Sequence, residues 1–305
     1  MNHLPEKRNT IRFGGKLYSL DRTYVMGILN LTPDSFFDGG KLAQSGSEDE
    51  NGHNHSRSSL DEGLVIDRVE QMVNDGADFI DVGAVSTRPG AKAISVKEEI
   101  HRLRFLGDLV KRFPQVLFSI DTYRSEVVRF AADQGVVLVN DVSAGQLDTA
   151  LFSTVGELGL PYVLMHMQGK PDSMQNNPTY DDVVGEVTYF FSEKIQELRL
   201  LGVSDIILDP GFGFGKTVEH NYTLLREMGH FQVFSLPMLA GVSRKSMINK
   251  VLKTKPEEAL NGTTVLHTLA LKNGAGFLRV HDVKEAVQTI RLLEAYRGDF
   301  ANIAG

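Results

Sequence analysis

The sequence predicts an α/β protein, a (β/α)8 TIM barrel with an N-terminal β-hairpin, on three observations. Short apolar runs that end abruptly in polar, turn-forming residues recur at a fairly even spacing: Tyr24 to Leu29, Phe79 to Val82, Val116 to Ile120, Val136 to Val139, Tyr162 to Met165, Ile206 to Leu208, Met238 to Gly241 and Phe277 to Val280. Runs of this length, mostly apolar and bounded by turn signals, suit strands buried on both faces. Between them apolar residues fall at helical spacing, and strand alternating with helix implies parallel pairing with right-handed crossovers; eight such units close a barrel. Finally, the units occupy almost the whole chain and the first strand carries no dinucleotide glycine fingerprint, which weighs against the rival, an open doubly wound sheet. A single domain over 1–305 follows, since barrels of about 250 residues commonly form one domain and no linker interrupts this chain.

Composition narrows the function. Hydrophobic residues at 42% and charged residues at 23% are those of a soluble globular protein. No apolar run approaches the roughly 20 residues of a membrane span, and the N-terminus lacks a signal peptide's apolar segment, so a cytoplasmic protein with no membrane partner is expected. The absence of cysteine excludes disulfides, thiol nucleophiles and cysteine-ligated zinc. A net charge of −7 argues against nucleic acid as a partner, so an anionic ligand must meet a local cluster of positive charge.

In chain order, Ile11 to Leu20 alternates around Gly14-Gly15, a hairpin signal, and is expected to plug the N-terminal end of the barrel. The first strand opens into Asn30, Thr32, Asp34 and Ser35, with Pro33 fixing one dihedral and Phe36 and Phe37 set among polar neighbours, a loop shaped to hold something. Residues 41–59 are nearly devoid of apolar side chains and read as a flexible insertion; His53 and His55 within it read as solvated rather than metal-binding. Helical spacing follows in Leu60, Leu64, Val65, Val69 and Met72, then in Ile100, Leu103, Leu106 and Val110, in Val127, Val128 and Phe130, and in Val183, Val187, Phe190, Phe191, Ile195 and Leu198.

The strand exits carry the chemistry. The second offers Asp81, then Ser86, Thr87 and Arg88 before a Pro-Gly turn; the third ends in Asp121, the fourth in Asn140-Asp141, the fifth leads to His166 and Gln168, and the sixth ends in Asp209. Helix capping is the ordinary reason for Asp or Asn in such places. Asp121, Asn140 and Asp209, however, come directly off buried runs, where an unpaired polar group is costly. Gly215-Lys216-Thr217 imitates the end of a phosphate-binding P-loop, but Pro210 stands where that motif requires glycine. The glycines of this sixth loop are expected to let backbone approach a ligand, with Phe214 as an apolar wall. The seventh and eighth strands add Arg244, Lys245, Arg279 and His281. Barrel active sites lie at the C-terminal face, with anion sites in the last loops. Carboxylates on one side and cations on the other suit a phosphorylated substrate whose other end is a flat, donor-rich heterocycle.

Eight motifs, in order, then carry a family resemblance: Met26-Gly-Ile-Leu-Asn-Leu-Thr-Pro-Asp-Ser-Phe36, Ser86-Thr-Arg-Pro-Gly-Ala91, Ser119-Ile-Asp121, Asn140-Asp-Val-Ser143, Leu164-Met-His-Met-Gln-Gly169, Asp209-Pro-Gly-Phe-Gly-Phe-Gly-Lys216, Ser243-Arg-Lys-Ser246 and Arg279-Val-His-Asp282. Together the motifs resemble those of dihydropteroate synthase, a transferase of folate biosynthesis. The resemblance implies condensation of 6-hydroxymethyl-7,8-dihydropterin pyrophosphate with 4-aminobenzoate, a dissociative substitution that releases pyrophosphate. It implies that Asp121, Asn140, Asp209, Lys245, Met165 and Phe214 bind the pterin, that Asn30, Arg88, Arg279 and His281 hold the pyrophosphate, with Asn30 acting through Mg2+, and that Thr87, Arg88, Pro89, Phe36, Phe214 and Ser246 shape the aminobenzoate site. Catalysis would fall to Lys245, Arg279, His281 and Asp121. Sulfonamide inhibition and a homodimer are further implications.

The chain departs from that family at Ala84 and Val85, where Gly-Glu is more usual, and in the length of the 41–59 insertion. Two alternatives share the pterin-binding residues. A pterin-dependent corrinoid methyltransferase has no use for the Ser86 to Ala91 loop or the Arg279 and His281 pair. A non-catalytic pterin-binding paralogue would be signalled by losses in the catalytic loops, and Ala84 and Val85 are the only ones seen.

Overall fold

The computed structural model describes residues 10–32, 62–86, 93–170, 174–175 and 177–299. Phe36, Thr87, Arg88 and Pro89, the 41–59 insertion and its His53 and His55 lie outside the described residues.

Strands β1 (Thr10–Phe13) and β2 (Lys16–Ser19) pair antiparallel. Gly14 and Gly15 make the turn with φ of +54° and +80°, the positive values that a two-residue hairpin matching strand twist requires. Then follow β3 (Tyr24–Asn30), α1 (Glu62–Asn74), β4 (Phe79–Gly83), α2 (Val96–Arg102), α3 (Leu106–Arg112), β5 (Leu117–Asp121), α4 (Ser125–Asp133), β6 (Leu138–Asp141), α5 (Leu151–Leu158) and β7 (Tyr162–Met165). The second half runs α6 (Val183–Leu200), β8 (Ile206–Asp209), α7 (Val218–Arg226), β9 (Leu239–Ala240), α8 (Ser246–Leu252), α9 (Leu260–Lys272), β10 (Phe277–Val280) and α10 (Val283–Tyr296). All eight barrel strands are parallel, in the order β8-β7-β6-β5-β4-β3-β10-β9. A parallel bridge between Leu208 and Met238, with the Leu208 N–H 2.9 Å from the Pro237 carbonyl, joins the two end strands and closes the ring. This is the (β/α)8 barrel the sequence predicts.

The hairpin plugs the barrel as expected. Ile11 and Phe13 enter a buried cluster with Tyr24, Met26, Phe79, Leu138, Val163, Ile207, Leu239 and Phe277, all near the N-terminal ends of their strands. Phe13 meets Phe79 edge-on at 4.9 Å, and Tyr24 stacks on Phe277 at 5.0 Å. The bottom of the barrel is therefore hydrocarbon, and the polar strand ends gather at the top.

Two expectations are corrected. β6 covers 138–141, not 136–139: Val136 closes the turn after α4, its N–H on the Ala131 carbonyl, the Val137 N–H makes the first bond to β5 at the Phe118 carbonyl, and the paired register starts at Leu138 opposite Ser119. The shift carries Asn140 and Asp141 into the strand. The run from Ile100 to Val110 is two helices, because after Leu103 the chain tightens, Arg104 bonding back to His101 and Leu106 to Leu103. Leu103 and Leu106 stay fully buried across the break.

Candidate active site

At the top of the barrel, β4, β5 and β10 each aim a charged side chain inward. Asp81, completely buried, accepts hydrogen bonds from Ser119 Oγ (2.5 Å), Asn140 Nδ2 (2.8 Å) and Arg279 Nε (2.6 Å). The same guanidinium reaches Asp121 Oδ2 at 2.5 Å through Nη2. Burial draws the Arg279 proton affinity down, but Asp81 and Asp121 more than offset it and the group lies above its usual range. Burial also lifts Asp121 to about 7; Arg279 opposes the rise, while Asp81 and Asp141 add to it. The site thus stores a fixed cation between two carboxylates, one of them poised near neutrality.

A cavity of about 570 Å³ opens above this clamp, walled by Asn30, Val85, Ser86, Asp121, Phe214, Lys245, Ser246, Arg279 and His281 among others. Lys245, at the start of α8, directs Nζ to the Phe212 carbonyl and sits 4.5 Å from the centre of the Phe214 ring. Burial pulls its ammonium down to about 8, against the attraction of Asp209. Asp209, the last residue of β8, and Asn140, the last but one of β6, are buried at 5% and 4% exposure, off the cavity wall. Asp209 accepts the Gly211 N–H at 2.8 Å, and burial raises its pKa with Lys245 opposing. Met165 lies in a buried cluster with Val142, Met167 and Met174, against which Phe214 packs. His281 pairs through Nδ1 with Ser243 Oγ at 3.0 Å. Arg244, expected at the mouth, makes a two-pronged pair with Asp282 at 2.7 and 2.8 Å, so its charge is engaged by protein.

The loop between β8 and α7 corrects a further expectation. Gly211, Gly213 and Gly215 have φ of +71°, +83° and +62°. A Cβ on Gly211 would stand 1.9 Å from the His166 carbonyl oxygen and one on Gly215 2.3 Å from that of Gln168, so these two admit neighbouring backbone rather than ligand. Lys216 turns inward, away from any phosphate cradle, in agreement with the rejected P-loop. Phe214 does wall the cavity.

Comparison with known proteins now decides the family. The model of the pterin binding enzyme family matches residues 26–281. Dihydropteroate synthase of Escherichia coli K12 is 43% identical over 283 residues, 92% of this chain and 94% of that one. The chain belongs to the pterin-binding enzyme family, among its dihydropteroate synthases. Among solved structures, Yersinia pestis dihydropteroate synthase in complex with a sulfonamide drug shares 38% identity at a TM-score of 0.85, covering 95% of this chain and 99% of that one. The Xanthomonas albilineans enzyme with 4-aminobenzoic acid shares 35% at a TM-score of 0.82, covering 95% and 98%.

Of the residues singled out in the sequence, Asn30, Asp121, Phe214, Lys245, Ser246, Arg279 and His281 share one cavity. Ala84, one of the two departures from the family pattern, is buried, with its carbonyl accepting from Arg102 Nη1 at 3.2 Å. Two roles escaped sequence reading: Asp81 as the hub that aims Arg279, and Lys216 as a buried cation. Asp81 had a signal, since a carboxylate inside the buried run Phe-Ile-Asp-Val-Gly needs a partner. Among the described residues, no three His, Asp or Glu side chains converge as a metal cage.

Proposed function

We infer that the protein catalyses the dihydropteroate synthase reaction. The C–O bond to the pyrophosphate of 6-hydroxymethyl-7,8-dihydropterin pyrophosphate breaks, the amine of 4-aminobenzoate forms a C–N bond at that carbon, and the nitrogen gives up one proton. The observation that carries this reading is the Arg279 clamp, a guanidinium fixed by Asp81 and Asp121 on the wall of a cavity that also presents Asn30, Lys245 and His281. In a dissociative substitution negative charge grows on the leaving group while positive charge grows on the pterin methylene, so cations and carboxylates fixed in advance stabilise the transition state. No nucleophilic side chain is needed, and an aniline is already unprotonated at neutral pH.

The reading assigns the pterin ring edge to Asp121, Asn140 and Asp209, its carbonyl side to Lys245, its apolar faces to Met165 and Phe214, and the pyrophosphate to Arg279, His281 and Arg88. The aminobenzoate falls to Thr87, Arg88, Pro89, Phe36, Phe214 and Ser246. Asn30 lines the cavity and carries an amide oxygen, while Asp121 Oδ2 is held by Arg279 at 2.5 Å. A single protein oxygen of this kind fits Mg2+, which prefers a few protein oxygens plus substrate phosphates. Bound at Asn30, the ion would neutralise charge on the departing pyrophosphate. A cytoplasmic homodimer belongs to the same reading; Val251, Leu252, Val265 and Leu269 on α8 and α9 are exposed hydrophobics that a second subunit would cover. Light scattering that gives a single-chain mass would remove the dimer from it.

The test is pyrophosphate release with Mg2+ and the pterin pyrophosphate, with and without 4-aminobenzoate. Release should require the amine, vanish in Arg279→Ala, and be inhibited by a sulfonamide in a manner that added 4-aminobenzoate relieves. Tight pterin binding without release would instead favour the non-catalytic paralogue, with Ala84 and Val85 the first suspects.

A further inference from the structure

Lys216 is 3% exposed and off the cavity wall, yet its Nζ meets four acceptors: His166 Nδ1 at 2.9 Å, the Gly211 and Phe214 carbonyls at 3.0 Å each and the His166 carbonyl at 3.2 Å. A lysine ammonium offers donors only, so Nδ1 accepts and the ring proton of a neutral His166 sits on Nε2. Burial, with Lys216 adding to it, keeps that imidazole uncharged.

The three carbonyls come from two segments, the exit of β7 and the glycine loop that follows β8. The close approaches at Gly211 and Gly215 press the second segment onto the first. Carbonyl oxygens turned toward one another repel, and a cation at their centre is what makes such an arrangement favourable. Three further carbonyls of the loop are also occupied: Phe212 by Lys245, Gly213 by Gln175 and Gly215 by Tyr180. The Gly213 N–H goes to Asn221 Oδ1 at 2.6 Å. Asp209 begins this loop, Phe214 lies within it, and Lys245 rests on it. Its shape therefore bears on three of the groups that the proposed function assigns to the pterin, two of them, Phe214 and Lys245, on the cavity wall.

We propose that Lys216 is a positioning residue, a tethered ammonium ion in a carbonyl and imidazole cage, which holds the β8–α7 loop in the form that presents Asp209 and Phe214 to the pterin. This rests on the reading of the cavity as the pterin pyrophosphate site. The cage has a chemical consequence of its own. With the tether removed, it should accept a small free alkylammonium ion.

The experiment compares Lys216→Ala and the volume-preserving Lys216→Met with the wild type, each with ethylammonium chloride or with sodium chloride at equal ionic strength. Both variants should raise KM for the pterin pyrophosphate by roughly tenfold or more, as loss of hydrogen bonds to a charged group would, with a much smaller change in KM for 4-aminobenzoate. Ethylammonium should restore Lys216→Ala toward wild-type KM and raise its Tm, sodium should do neither, and Lys216→Met, whose side chain fills the cage, should not respond. An unchanged pterin KM in both variants, or a response to ethylammonium no larger than to sodium, overturns the proposal. If Lys216→Ala is too unstable for kinetics, its Tm decides: a rise specific to ethylammonium supports the cage and none refutes it. A wild-type protein that fails to turn over would instead defeat the synthase reading, while the Tm comparison still judges the cage.

Discussion

Asp81 touches no solvent and stands outside the residues that the family motifs mark, yet three inward-facing side chains converge on it. Replacing it by Asn keeps the shape and removes the charge. Arg279 would then keep only Asp121 of the two carboxylates that bond it, and the guanidinium would lose the bond at Nε that fixes its orientation. Breaking a buried ion pair by removing one partner costs about 3–5 kcal/mol. We expect Asp81→Asn to melt well below the wild type and to lose roughly a hundredfold or more in kcat/KM even where it is folded, because Arg279 loses its aim; wild-type kinetics in the folded variant would refute the hub. Asn30 and His281 were readable as site residues because they follow apolar runs directly, and Lys245 because it stands in the polar loop that leaves such a run. The pairing of Arg279 with Asp81 was not, since it joins residues 198 positions apart and depends on how the closed sheet turns β4 and β10 toward each other. Lys216 was hidden for a related reason: its partners are mostly backbone carbonyls, which leave no mark in a sequence.

The elements divide the labour between the two ends of the barrel. The hairpin buries Ile11 and Phe13 under the strands' N-terminal ends, and the cavity lies at the opposite end. Phe13→Ala should therefore lose about 3–5 kcal/mol of stability, the usual loss for a buried phenylalanine, while kcat/KM measured below the melting transition stays within about twofold, as expected of a residue on the stabilising face of such a barrel. A large kinetic defect with little loss in Tm would mean that the plug reaches the site. Most strands were legible because parallel strands covered on both sides are apolar at most positions. That same uniformity misplaced β6: Val136 is as apolar as Leu138 and Val139, and only its hydrogen bond back to Ala131 assigns it to the turn rather than the strand. The break between α2 and α3 was invisible likewise, since Leu103 and Leu106 face the core on either side of it.

Across the whole molecule, the polar top is held in its working charge state against the cost of burial, and this sets stability and activity on opposite slopes. Lys245 titrates at about 8 in the folded protein and near 10.4 in an unfolded chain. An amine whose pKa is lowered by folding destabilises the native state wherever it is charged; its contribution to stability is complete above the unfolded value and is lost as pH falls through the folded one. The unliganded protein should therefore gain Tm as pH rises from about 8 to about 10, the interval over which Lys245 has shed its proton in the folded state but not in the unfolded one. Catalysis should run the other way, because a deprotonated Lys245 no longer presents a charged donor, so kcat/KM should decline on an alkaline limb near 8 that belongs to the free enzyme. Bound pyrophosphate, an anion beside Lys245, would favour its charged form and move the corresponding limb of kcat to higher pH. Melting curves for the wild type and Lys245→Met across that range, with parallel kinetics for the wild type, test both slopes. The variant should show the shallower rise in Tm, and equal slopes in the two proteins would remove Lys245 from the account.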